Sequence, residues 1–137
     1  FCEFERRLHE ERRKGELAPE TIGTIWLSVQ SESLGPAIRF DDEYQSYWAY
    51  IPHFIHSPFY VYAYAFGDGL VNALYAVYEE GLPGFEDKYF AMLKAGGSTH
   101  HKDLLAPFGL DASDPKFWDK GLSVISGMID ELEAMEG

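Results

Sequence analysis

The 137-residue sequence is short of cysteine, of basic residues and of long apolar runs, and each shortage removes a class of function. Cys2 is the only cysteine, so no internal disulfide can form, which fits a reducing, cytoplasmic setting. Eleven Lys and Arg stand against 23 Asp and Glu, for a formal net charge of -12. A surface of that sign repels phosphate, which argues against nucleic acid and against anionic membranes as partners. The longest apolar run, Pro58 to Gly67, is far below the roughly 18 residues that would point to a membrane span, and no secretory signal is visible. There is no His-Glu-x-x-His, no glycine-rich phosphate loop after a strand and no Gly-x-Ser-x-Gly elbow. Gly67-Asp68-Gly69 lacks the remaining ligands of a calcium loop and reads instead as a helix kink or a place of close backbone approach. Repeats, low-complexity tracts and sustained strand-like alternation are missing too.

What remains is a sequence rich in core-forming residues, 46% hydrophobic and 16% aromatic. That is enough apolar surface for one folded domain over 1–137. The expected class is all-α, an irregular multi-helix domain. Phe1, Phe4 and Leu8 mark the buried stripe of a first helix that stops near Gly15. Cys2 reads as a small buried residue of that helix. Its other residues, Arg6, Arg7, Arg12, Arg13 and Lys14 opposed by Glu3, Glu5, Glu10, Glu11 and Glu16, read as a solvated face laced with ion pairs. Pro19 opens a second helix with Ile22, Ile25, Trp26 and Val29 on one face.

Asp41 is placed to cap a short helix carrying Tyr44, Tyr47 and Trp48. A loop holding His53 and His56 is expected between Pro52 and Pro58, and a central helix from Pro58 towards Glu80. Further helices are expected around Phe85 to Lys94, near Lys102 to Leu105, and behind the cap Asp114-Pro115, where Trp118, Leu122, Ile125, Ile129 and Leu132 recur at helical spacing. His9 reads as a surface residue, and His100 and His101 as exposed and divergent. The start at Phe1, inside a helix and without an initiator Met, points to a piece of a longer protein.

The segment from Trp48 to Gly67, WAYIPHFIHSPFYVYAYAFG, carries the chemistry. On a wheel of about 100° per residue Tyr60, Tyr64, Val71, Tyr75 and Tyr78 share one side of the central helix, with Tyr62 opposite. One reading packs these phenols in the core, each hydroxyl with a partner. The other has Tyr60 and Tyr64 line a cleft with His53 held over it. A phenol and an imidazole are donors suited to the oxyanion formed when a peptide carbonyl is attacked. His53 and His56 could share a metal only from one helical turn, and no third ligand follows at a recognisable spacing.

The segment IPHFIHSPFYVYAYAFG, the later AGGS, the ending DPKFWDKGLSVISGMIDELE and the opening FCEFERRLHEERRKGELAPETIGTIW together resemble the final part of the oligoendopeptidase F family, which is similar to thimet-type oligopeptidases. The resemblance implies a largely helical zinc metalloendopeptidase that cuts short peptides in a deep channel. It also implies that the zinc ligands and the glutamate base lie upstream, so that this piece holds no metal and is inactive alone. His53 matches the family histidine that contacts substrate near the scissile bond. The tyrosines after it hold the peptide and stabilise the tetrahedral intermediate. The family leaves Tyr60, Tyr62 and Tyr64 open; the wheel favours Tyr60 and Tyr64. His56 is carried as a substrate-binding candidate. The implied partners are an oligopeptide substrate, the upstream zinc-binding segment, and a second copy if apolar surface is left exposed. The competing reading is a non-catalytic helical module that binds a peptide or another subunit.

Overall fold

The computed structural model describes residues 1–136, and no strand occurs among them. The chain forms two compact units, residues 1–64 and the residues from Ala65 onward.

In the first unit, α1 (Cys2–Arg12) and α2 (Pro19–Leu34) are followed by a 3-10 segment, Asp42–Tyr50, and a short α3 (Pro52–His56). Pro19 starts α2 at its first turn, where a missing N–H costs nothing. The periodic apolar face of α2 meets that of α1: Phe4, Trp26 and Val29 form the buried centre, with Leu8, Ile22, Ile25, Tyr44, Trp48 and Phe54 packed around it. Phe4 is 0% exposed, its ring edge-on to Trp26 at 5.1 Å and to Phe54 at 4.9 Å.

Ion pairs lace the outer face of α1. Arg6 bridges Glu3 and Glu10, each at 2.6 Å, while Arg7 joins Glu3 at 2.6 Å to Glu32 of α2 at 2.7 Å. Hydrogen bonds from Arg6 and then Arg7 hold the Glu3 carboxyl down at about 2, from an ordinary 4.5. A carboxylate depressed in the folded state contributes stability above its unfolded pKa and loses it as pH falls through the folded one. Glu3→Gln should therefore lower Tm slightly at pH 7, and the two melting points should converge between pH 4.5 and 2. A gap that persists at pH 2 would show that the charge is not the cause.

Several expectations for this unit give way to the structure, among them the cap at Asp41, whose side chain makes no hydrogen bond to the 3-10 segment. Cys2 is exposed, because the stripe of α1 is centred on Phe4 and leaves the second position outside. Glu5 is buried instead of sharing in the ion pairs, since it follows Phe4 on the inward side. His53 and His56 lie on a helical turn instead of a loop, because Pro52 takes the first position of α3 and supplies the helical φ that position needs. His9 is half-buried.

The central helix α4 (Tyr62–Glu79) begins later than Pro58. Phe59 carries a φ of +64°, which a right-handed helix cannot accommodate, so residues 58–61 form a turned connection.

The second unit adds α5 (Phe85–Ala95), α6 (His101–Leu105) and α7 (Pro115–Glu136). Asp114 caps α7, its side chain accepting the Lys116 backbone N–H at 2.9 Å. The core gathers Ala73, Leu74 and Val77 of α4 with Leu105, Phe108, Leu110 and Phe117. His100 and His101 are exposed as expected, but their rings lie 4.1 Å apart instead of diverging, with His100 Nδ1 accepting the Lys102 backbone N–H.

The close approach expected at Gly67-Asp68-Gly69 occurs at Gly69. A Cβ there would lie 3.0 Å from the Trp118 ring, and one on Gly121 would lie 2.6 Å from the Gly69 carbonyl oxygen. Helices α4 and α7 cross backbone to backbone at this pair, and a backbone atom cannot yield as a side chain does. Gly121→Ala should cost about 1–3 kcal/mol by overpacking, although alanine is the better helix former. An unchanged or raised Tm would show that the crossing is loose.

Beyond that crossing the stripe of α7 does not pack as a core. Leu122 is 60% exposed and Ile129 53%, with Leu132 and Met128 similarly open. Tyr62, Tyr64, Val71, Tyr75 and Tyr78 of α4 are exposed as well. No helix among the described residues is long and apolar enough to cross a membrane.

Candidate functional site

Helix α3 and the start of α4 bring an imidazole and two phenols together in the first unit. His53 Nε2 and the Tyr64 hydroxyl are hydrogen-bonded at 2.9 Å. With the ring proton on Nδ1 the phenol donates to Nε2; with it on Nε2 the imidazole donates to the phenol oxygen. The Tyr60 ring stacks on His53 at 5.6 Å and 10° between planes. Tyr64 stands edge-on to both, 5.4 Å from His53 and 6.2 Å from Tyr60. Tyr60 and Tyr64 are exposed and His53 half-buried, so the cluster is open to a ligand.

Local structure explains the geometry. Helix α3 ends at His56, and Ser57 caps it by donating its backbone N–H to the His53 carbonyl at 3.1 Å. The connection turns back, with the Tyr60 N–H donating to the Ser57 carbonyl and the Ala63 N–H to the Tyr60 carbonyl. Val61 is buried and pins this return. Tyr60 thus reaches His53 from the connection, not from a shared face of α4. The wheel paired it with Tyr64 for a reason that does not hold, because the helix starts two residues after Tyr60.

Tyr62 is exposed, and among the described residues no ring contact or hydrogen bond joins it or His56 to the cluster. His53 and His56 do sit on one helical turn, yet no group of three His, Cys, Asp or Glu side chains among the described residues could hold a metal.

Read alone, the sequence sets Glu5 among the ion-paired acids and His9 on the surface, and does not show that both meet Phe59. The Glu5 carboxylate is buried and accepts the Phe59 backbone N–H at 2.6 Å, and the His9 ring lies on the Phe59 ring at 4.4 Å. A signal was available: on a helical wheel Glu5 falls about 40° from Phe1, on the apolar side of α1.

The chain matches other proteins along nearly all its length. It is 32% identical over 137 residues to Oligopeptidase PepF of Bacillus subtilis, covering 98% of this chain and 20% of that protein. It is 30% identical over 136 residues to the plasmid Oligoendopeptidase F of Lactococcus lactis subsp. cremoris, covering 98% and 22%. An Oligoendopeptidase F homolog of Borreliella burgdorferi is 30% identical over 134 residues, covering 97% and 22%. The chain thus spans about a fifth of the length of the curated relatives it matches. No solved structure matches it. The model of Peptidase family M3 matches residues 1–124, and the chain belongs to that family.

Proposed function

We propose that this chain is the substrate-facing part of a zinc metallo-oligoendopeptidase, in which His53 and Tyr64, with Tyr60 beside them, bind a short peptide and stabilise the oxyanion formed during its hydrolysis. The observation that carries this reading is the 2.9 Å bond between His53 and Tyr64 on an open surface, with Tyr60 stacked on the imidazole. When the peptide carbonyl is attacked, negative charge gathers on its oxygen. Donors already oriented by one another stabilise that charge without reorganising. The group that does not spend its proton on the other keeps it free for the oxyanion, the Tyr64 hydroxyl when Nε2–H donates to it and the Nδ1–H of His53 when Tyr64 donates, and the stacked Tyr60 ring limits the motion of the imidazole.

The relatives' names, oligopeptidase and oligoendopeptidase, support a short peptide as substrate. Zinc would supply the activated water, held by residues outside these 137, and the chain alone would hydrolyse nothing. His56, exposed on the same turn as His53, is retained as a contact to the peptide further from the reacting carbonyl.

The test separates the tyrosines in the intact peptidase. Tyr64→Phe keeps the ring and removes the donor, so kcat should fall on the order of 100-fold or more. Tyr62→Phe should leave kcat within about twofold, since no hydrogen bond or ring contact joins Tyr62 to His53. Equal effects of the two variants would sink the assignment.

A second reading, a non-catalytic helical module, draws on the open apolar row of α7. Such a row binds a partner or the remainder of a longer chain. Saturable, sequence-dependent peptide binding by the 137-residue chain would favour the module.

A further inference from the structure

His53 and Tyr64 stand on different helices, α3 and α4, so the connection between those helices sets the distance between the two donors. That connection contains Phe59, whose φ of +64° is the one positive φ of a non-glycine residue among the described residues. A bulky side chain resists the left-handed region, because its Cβ crowds the backbone carbonyl. Something must hold it there.

Two side chains of α1 do so. The Glu5 carboxylate, 54 residues earlier in the chain, accepts the Phe59 N–H at 2.6 Å, and His9 lies against the Phe59 ring at 4.4 Å. Glu5 is only 5% exposed. Burying a carboxylate is unfavourable unless hydrogen bonds compensate, and the bond that the structure gives this one goes to the strained residue.

We propose that Glu5 is a positioning residue for the His53–Tyr64 pair, its buried carboxylate holding Phe59 in the left-handed conformation that sets the two donors 2.9 Å apart. The inference rests on the reading of His53 and Tyr64 as the oxyanion donors. The Glu5 carboxylate is hydrogen-bonded to Phe59 and not to either ring. It acts through the backbone of residues 57–61, and α1 thereby becomes part of the site's support.

Three substitutions separate this role from simple core packing. Glu5→Ala removes the acceptor and lets the turn relax. Glu5→Gln keeps an oxygen at the same reach. Phe59→Gly, added to Glu5→Ala, removes the need for a clamp, since glycine takes positive φ freely. The readout is the ¹⁵N NMR signal of the His53 ring in the 137-residue chain, with Tyr64→Phe giving the signal of the broken bond. Glu5→Ala should move the Nε2 resonance to the Tyr64→Phe position, Glu5→Gln should leave it near the native one, and the double variant should bring it back. If Glu5→Ala does not fold, Glu5→Met, of similar length but without an oxygen, takes its place and must move the signal too.

An unmoved resonance in the acceptor-less variant overturns the proposal. So does a displaced one that Phe59→Gly fails to restore. In the intact peptidase Glu5→Ala should lower kcat about 10- to 100-fold with KM little changed, and Phe59→Gly should recover most of it. If His53→Ala leaves kcat unchanged, the donor reading falls. The NMR series still decides whether Glu5 sets the geometry.

Discussion

In the intact peptidase, His53→Ala is expected to lower kcat on the order of 100- to 1,000-fold while the metal content stays at the native level. The size follows from where the donor acts. A peptide carbonyl in the ground state is a modest acceptor, and the same oxygen in the tetrahedral intermediate carries nearly a full charge. A donor fixed beforehand therefore gains most of its strength as the reaction proceeds, so its loss appears in kcat more than in KM. His53 is fixed in this way: its helix is only one turn long, but Tyr64 bonds it at 2.9 Å and Tyr60 stacks on it at 5.6 Å. A rise in KM with kcat unchanged would assign His53 to uniform substrate binding. A loss of metal along with activity would make it part of the metal site's support.

The largest expected effect on stability is that of Phe4→Ala, about 3–5 kcal/mol. Phe4 is 0% exposed and stands edge-on to Trp26 and Phe54, so truncation leaves a cavity walled by aromatic rings too rigid to close over it. Phe54 follows His53 on the short helix α3, and Tyr44 and Trp48 of the 3-10 segment pack on the same core. The loss should therefore reach the site. Denaturant unfolding should show the midpoint falling with the slope unchanged, and the His53–Tyr64 bond should weaken before the unit unfolds. A cost below about 1 kcal/mol would mean that the core collapses around the gap.

Helices were legible in the sequence wherever their signals are local. Pro19 and Asp114-Pro115 mark the starts of α2 and α7, and the apolar spacing of Ile22, Ile25, Trp26 and Val29 gives the buried face of α2. The start of α4 was not legible. Proline at 58 permits a helix to begin, and nothing local announces that Phe59 takes a left-handed conformation. That conformation depends on Glu5, far away in sequence, so no window around residue 59 contains its cause. The same non-local contact hid the burial of Glu5 itself, which composition reads as one more acid on a charged helix.

At the site, the residue types pointed to His53, Tyr60 and Tyr64 as the groups suited to an oxyanion, and the structure brings those three together by a different route for Tyr60. The stripe of α7 shows a further limit. Its periodicity correctly announces a helix with an apolar face, but periodicity cannot say whether that face is covered within these residues, and Leu122 and Ile129 are open.

The most direct test of the account is a double-mutant cycle on kcat in the intact peptidase, combining His53→Ala with Tyr64→Phe. Groups that act as one hydrogen-bonded unit are not independent, so the double variant should lose little more than the worse single variant. Losses that multiply fully would mean that the two side chains act separately, and kcat unchanged in all three variants would remove this cluster from the chemistry altogether.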